Sequence, residues 1–150
     1  MRHFVLLISL LILSYMNGQE TNKGLVQVIS KHDFESTYEI IKKTLDANPK
    51  IGILAELDHT GNAKRVGLEL PNTKLILFGN PNLGTPLMQS SRNIAIDLPQ
   101  KILIWEGDGK VFLTYNDPKY LLKRHGITDK DPIAEKIASA LATISGKASE

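Results

Sequence analysis

The chain has 150 residues, enough for one domain, and its 42% hydrophobic and 23% charged residues are ordinary for a globular protein. It contains no cysteine, which excludes disulfides, thiolate metal ligands and a lipid-modified cysteine. Without Arg2, 17 of the 18 Lys and Arg residues remain, and their positive charge is nearly balanced by 16 Asp and Glu residues. Nucleic acids and anionic membrane surfaces both require a basic face, and no dense block of Lys and Arg stands out in this nearly neutral domain, so neither is predicted as a partner.

The first 18 residues have the pattern of a secretory signal peptide. A basic start, Met1-Arg2-His3, precedes an apolar run over residues 4–16, and Gly18 offers a small residue for cleavage. The run is shorter than the roughly 20 residues that cross a membrane. We therefore predict a signal peptide at 1–18, a single domain at 19–150, and export to the periplasm or the cell exterior. An uncleaved anchor is the alternative, because Met16 poorly matches the small residue expected before the cleavage site.

The first half of the domain is predicted as strand, helix and strand. Residues 24–30 are short, β-branched and bounded by turn residues, as in a strand. An amphipathic helix is then predicted from the N-cap Asp33 to Pro49, with one apolar stripe: Phe34, Tyr38, Ile41 and Leu45. The second strand, residues 51–58, places Glu56 and Asp58 together on one face.

The second half is predicted to complete an antiparallel sheet. After a connection with room for one short helical turn, residues 74–78 form a strand, and two apolar runs at 102–105 and 111–115 form a hairpin around Asp108-Gly109. Two helices follow, from Asp117 to Gly126 and from Asp131 to Gly146. The order predicts an α+β fold of the β-α-β-β-β-β-α type, with the helices on one face of the sheet.

One glycine-rich stretch resembles a phosphate-binding loop. In "FGNPNLGTPLMQ", Gly79 and Gly84 have the P-loop spacing, but Thr85 and Pro86 stand where a lysine and a hydroxyl residue should follow. We interpret the stretch as a turn followed by a short helix, with Thr85 as its cap and Pro86 in its first turn. A few backbone N–H groups at the helix start remain available to a small anion in this interpretation.

Four longer segments carry a family resemblance. "LDHTGNAKRVGLELP", "LILFGNPNLGTPLMQ", "IDLPQKILIWE" and "YNDPKYLLKRHG", in this order and spacing, resemble the bacterial family called domain of unknown function 302 over residues 24–125. The resemblance implies a compact fold like that of the TATA-binding protein, and dimerisation, but no activity. One departure is Gln100, where family members more often have an apolar residue.

Several polar residues that match the family segments fall at the ends of predicted strands, where functional sites are common: His59, Asn80, Asp97, Tyr115, Asn116 and Asp117. His59 and Asp97 are the candidate catalytic pair, because a carboxylate can orient an imidazole that titrates near neutrality. The other four are candidate ligand-binding residues. Each also has a structural interpretation: a loop histidine for His59, a turn residue for Asp97 and a helix cap for Asp117.

Other chemistry finds little support in the sequence. Glu56, Asp58 and His59 lack a recognised metal-ligand spacing, so neither a metal nor another cofactor is predicted. No nucleophile elbow is present. Trp105 is interpreted as part of the core or of a sheet face, and His125 as a favourable charge at the end of a helix.

Three hypotheses follow for function. The first is a non-catalytic exported domain that binds a small polar ligand or a protein partner as a homodimer. The second is a small hydrolase or isomerase that uses His59 and Asp97 as acid and base. The third is an envelope interaction module in which the edge of the predicted hairpin pairs with another chain.

Overall fold

The computed structural model describes residues 19–21 and 24–150; the predicted signal peptide lies outside the described residues. In the described part of the chain, the strands are β1 (Gln19–Thr21), β2 (Leu25–Ile29), β3 (Gly52–Asp58), β4 (Thr73–Gly79), β5 (Gln100–Gly107) and β6 (Lys110–Asn116). The helices are α1 (Phe34–Asp46), α2 (His59–Arg65), α3 (Pro81–Ser90), α4 (Pro118–Arg124) and α5 (Asp131–Gly146), with a 3-10 helix at Arg92–Ile96. None of these helices is long and apolar enough to cross a membrane.

The strands form one antiparallel sheet in the order β1-β2-β6-β5-β4-β3. The predicted α+β architecture is therefore confirmed, and the β5–β6 hairpin lies at the centre of the sheet. Its turn residues Asp108 and Gly109 have φ values of 51° and 70°, as a two-residue hairpin turn requires. Because β2 and β4 flank the hairpin, it has no free edge with which to recruit another strand, and the third hypothesis is wrong in that form.

The two faces of the sheet differ in burial. Side chains of directly paired residues lie on the same face, so the ladder assigns Ile76, Ile102 and Leu113 to one face, where each is fully buried. Ile41 of α1 and Leu141 of α5 complete this core, at 0% and 1% exposure. The helical layer thus covers one face and excludes water from it.

Local signals explain the starts of α1 and α4. Asp33 accepts a hydrogen bond from the Ser36 N–H at 2.8 Å, and Asp117 accepts one from the Lys119 N–H at 3.0 Å, so both residues are the predicted N-caps. In α5, however, Asp131 is the first helical residue, and Lys130 occupies the cap position without a side-chain hydrogen bond.

The glycine-rich stretch forms a longer helix than predicted. The cap of α3 is Asn80, whose Oδ1 accepts a hydrogen bond from the Asn82 N–H at 3.0 Å. Pro81 is the first helical residue, and Thr85 and Pro86 lie inside the helix instead of starting it. Pro81 suits this position because the first turn of a helix does not need its N–H.

Candidate functional site

The sheet separates the two candidate catalytic residues. His59 follows Asp58, which pairs with Lys74 near the start of β4, whereas Asp97 precedes Gln100, which pairs with Phe78 near the end of β4. At about 3.3 Å per residue, the two ends of a strand of this length are roughly 20 Å apart. The structure therefore does not bring the His59 and Asp97 side chains together.

Asp97 instead contacts His125. Its Oδ2 lies 2.5 Å from Nε2 of His125, and its Oδ1 accepts a hydrogen bond from Arg124 at 3.2 Å. Both side chains of the Asp97–His125 pair are nearly buried, with exposures of 8% for His125 and 12% for Asp97. The pair ties the end of α4 to the loop before β5. The sequence suggested only a helix-end charge for His125, because nothing local indicates a partner 28 positions away.

The four predicted ligand-binding residues share one end of the sheet, but they have different environments. Asn80 and Asp117 use a side-chain oxygen to cap α3 and α4. Asn116 is half-buried and pairs with Leu25. Tyr115 is only 6% exposed under the helical layer. Burial raises the pKa of the Tyr115 hydroxyl, a hydrogen bond with Ser145 opposes this rise, and the Asp117 carboxylate adds to it.

The start of α3 is not an anion site. The Asn82 N–H bonds the Asn80 side chain, the N–H groups of Leu83 and Gly84 both bond the Asn80 carbonyl at 3.0 Å, and Pro81 has no N–H. The backbone donors that the sequence suggested for an anion are therefore already occupied.

Two of the three residues weighed as metal ligands, Glu56 and Asp58, have other partners. Glu56 forms an ion pair with Lys42 at 3.0 Å, and Asp58 caps α2 by accepting a hydrogen bond from the Gly61 N–H at 2.8 Å. Across the described ranges, no group of three His, Asp or Glu side chains is placed to hold a metal ion.

A cavity of about 540 Å³ opens at the sheet end that carries Asn80. It lies between α3, α5, the start of β3 and the adjoining ends of β4 and β5. Its wall is mainly apolar: Ile51, Leu54, Phe78, Pro81, Leu83, Met88, Leu98, Pro99, Ile137, Ala140 and Leu141. The volume and the apolar lining are typical of pockets that hold small organic molecules.

The polar residues of this cavity divide into two groups. Asn48, Lys50 and Thr85 are exposed and Asn80 is half-buried, whereas Gln100 is 8% exposed. The Gln100 side chain belongs to the helix-side face of the sheet, since its ladder partner is the buried Phe78. Among the polar residues that line the cavity, Gln100 is thus the buried one. Sequence reasoning noted Gln100 only as a departure from the family pattern and did not place it in a site.

The other face of the sheet is incompletely covered. Trp105 and Phe112 stack there with ring centroids 4.5 Å apart, and the Trp105 indole N–H donates to Thr114 at 3.0 Å. Their neighbours on this face include half-buried leucines of β4 and β5, with Ile29 at 49% and Leu57 at 40% exposure. Trp105 therefore belongs to an apolar sheet face, one of its two predicted positions.

Comparisons with known proteins agree with this fold. The model of the family described as "Domain of unknown function DUF302" matches residues 26–144. The crystal structure of an uncharacterised conserved DUF302 protein from Bacillus stearothermophilus superposes with a TM-score of 0.75 at 17% identity, over 83% of this chain and 98% of that one. At this identity, the likeness establishes the fold alone.

Two curated relatives bear the name of a channel. Proteins called "Fluoride-specific ion channel FluC 1" from Brucella suis and Brucella abortus are each 44% identical over 119 residues, which cover 77% of this chain. The match covers 45% and 43% of those proteins. The chain thus spans less than half the length of these relatives.

Proposed function

Because the chain belongs to the DUF302 family, whose activity is not defined, we propose a function from its own geometry: a non-catalytic domain that binds a small, mainly apolar ligand in the cavity beside α3. The observation that carries this proposal is the coincidence of a preformed apolar cavity with a buried polar group, Gln100, in its wall. Such a combination is the usual form of a small-molecule site. The polar ligand suggested by the sequence suits this wall less well, because a charged ligand would lose its hydration there without gaining a partner.

Binding is favoured over acid–base catalysis for two reasons. His59 and Asp97 lie at opposite ends of β4, and the near-buried Asp97 carboxylate is engaged by His125 and Arg124. A general acid and a general base must both reach the reacting group, which this separation prevents.

The proposed site is tested with 4-propyltoluene and 4-propylphenol as probes, using amide chemical shifts of the domain in solution. We expect both probes to shift signals of residues that line the cavity. Gly84→Phe is the blocking variant, because a Cβ at this position points toward Leu98, 3.9 Å away, at the cavity wall. The matched control Gly84→Ala leaves the volume nearly unchanged and should still bind. Shifts that persist in Gly84→Phe, or the absence of shifts in the parent protein, would contradict the proposal.

We also propose that the domain forms a homodimer through the Trp105 face of the sheet. The five strands β2 to β6, about 4.8 Å apart and roughly 16–26 Å long, present about 500 Å² of flat sheet, and protruding side chains increase the accessible area. The accessible area of this face therefore approaches the area that each partner buries in a standard interface, which is about 800 Å². The centre of this face is apolar, and the ladder of the described strands places Lys101 and Lys110 at its margins, at the starts of β5 and β6. An apolar centre suits a second copy better than a charged partner.

Sedimentation equilibrium tests the dimer. Leu103→Asp, at the centre of the Trp105 face, should produce a monomer, since each subunit would bury an unpaired carboxylate. The control Ile96→Asp, which replaces a 77% exposed residue in the 3-10 helix, should leave the dimer intact. A parent protein that stays monomeric at high micromolar concentration would refute the proposed interface.

Export is part of the same proposal. It rests on the basic start and the apolar run of residues 1–18, which lie outside the described residues. N-terminal sequencing of protein recovered from the periplasm should begin at Gln19; recovery of the full chain from the cytoplasm would argue against export.

The names of the Brucella relatives favour a second candidate, in which the domain assists a fluoride channel. The matched segment corresponds to this domain, and no helix in its described part could span a membrane. We therefore assign the domain an accessory role and no conduction. Loss of the domain should lower the fluoride concentration that stops growth without changing sensitivity to chloride; unchanged fluoride sensitivity would remove this candidate.

A further inference from the structure

The most informative group in the cavity is the carboxamide of Gln100. Gln100 is 8% exposed, yet no hydrogen bond joins its side chain to another of the described residues. At the same time, none of the fully buried side-chain nitrogen or oxygen atoms in the described part lacks a partner. The amide atoms of Gln100 therefore keep some exposed surface, and Gln100 lines the cavity.

An amide in this position favours a particular kind of ligand. Its oxygen accepts and its nitrogen donates hydrogen bonds, so it can pair with a hydroxyl, a carbonyl or an amide. The apolar side chains that line the cavity, among them Phe78, Leu98 and Leu141, offer no such partner. A ligand that leaves the amide unpaired also removes it from water, and a site with an unpaired buried polar group rejects that ligand.

From this arrangement we propose that Gln100 determines specificity: the cavity selects neutral, mainly apolar molecules that carry one hydrogen-bonding group positioned at the Gln100 amide. This inference rests on the proposed ligand-binding function and names its substrate class. An anionic head group is disfavoured, because the backbone donors at the start of α3 are occupied and Lys50, at the cavity, is exposed to solvent.

The test compares the two probes, which differ only by a hydroxyl in place of a methyl group. In the parent protein, 4-propylphenol should bind about 3- to 10-fold more tightly than 4-propyltoluene, the range that one neutral hydrogen bond supports. Its binding should also shift the side-chain amide signals of Gln100, which the toluene derivative should leave nearly unchanged. This second readout needs no variant.

Variants then separate the amide from the cavity itself. Gln100→Met keeps the length of the side chain and Gln100→Leu its apolar volume, and both should abolish or reverse the preference while still binding 4-propyltoluene. Val66→Ala, at the end of α2 and outside the residues that line the cavity, should keep the preference of the parent. Equal affinities of the parent for both probes, a preference that survives in the Gln100 variants, or loss of both probes from folded variants would overturn the role of Gln100. If neither probe bound the parent, the proposed function itself would be overturned.

Discussion

The Asp97–His125 contact leads to a sharp prediction, because the sequence paired Asp97 with a different histidine. Asp97→Ala removes the carboxylate from His125 and Arg124, but it leaves the backbone contact in which Lys101 donates to the Asp97 carbonyl at 2.9 Å. The loss is therefore confined to two side-chain contacts that hold α4 against the loop before β5.

The magnitude depends on the burial of each partner. The side chain of His125 is only 8% exposed, so leaving its ring nitrogen without the carboxylate should cost about 1–3 kcal/mol. The side chain of Arg124 is 53% exposed, and such an ion pair contributes less than about 1 kcal/mol. We expect Asp97→Ala to lower the free energy of unfolding by about 2 kcal/mol. For a domain of this size, the corresponding fall in Tm is about 6–8 °C.

Urea unfolding, followed by circular dichroism, measures this loss. His59→Ala is the informative control: the half-buried His59 side chain forms no hydrogen bond or ion pair with the described residues, so its loss should change stability by less than about 0.5 kcal/mol. In a double-mutant cycle, Asp97→Ala and His125→Ala should show a coupling energy of about 1–2 kcal/mol. Equal effects of Asp97→Ala and His59→Ala, or a coupling energy near zero, would refute this reasoning.

Three further predictions concern single positions. Gly84→Ala should raise the free energy of unfolding in urea by about 0.5–1 kcal/mol. Gly84 lies inside α3, and the nearest atom to the new Cβ, on Leu98, is 3.9 Å away. A loss of stability would mean that α3 requires glycine here. Gly24→Ala should lower the free energy of unfolding by about 2–3 kcal/mol, since the φ of Gly24 is +70° and the new Cβ would lie 2.1 Å from the Tyr120 ring. Unchanged stability would show that this ring moves freely. Burial raises the pKa of the Tyr115 hydroxyl in the folded state. The neutral hydroxyl therefore contributes fully to the stability of the domain below the ordinary tyrosine pKa of about 10, and this contribution is lost as pH rises through the folded pKa. Tyr115→Phe should therefore reduce the loss of stability above pH 10, and an alkaline stability profile identical to that of the parent would contradict this assignment.

Local chemistry made most of the fold predictable. Asp33 and Asp117 cap helices because their side chains bond N–H groups two or three residues away, and Asp108-Gly109 forms the hairpin turn because both positions need a positive φ. In each case the signal and its consequence lie within a few residues. The start of α3 was misplaced because the stretch contains two caps each followed by proline, Asn80-Pro81 and Thr85-Pro86, and the sequence does not rank them.

The candidate site was much less predictable, because its contacts are distant in sequence. The Asp97–His125 pair joins residues 28 positions apart, and the cavity combines β3, α3, β5 and α5. Sequence reasoning looked for a site at strand ends and chose residues there by chemical reactivity. Gln100, the buried polar residue of the cavity, has no unusual reactivity, and its interest comes only from the apolar surroundings that folding provides.

The central position of the hairpin also constrains how the polypeptide assembles as it is synthesised. β2 hydrogen bonds to β6, with Leu25 opposite Asn116, so β2 has no neighbour on its central side until most of the chain exists. At about 5–20 residues per second, this wait lasts several seconds. During it, the apolar residues of β2 and α1 lack their final partners, and the chain is available to chaperones or to a translocation machinery that accepts only unfolded polypeptides. β2 is thus among the last strands to be secured in the sheet, although it lies near the start of the domain.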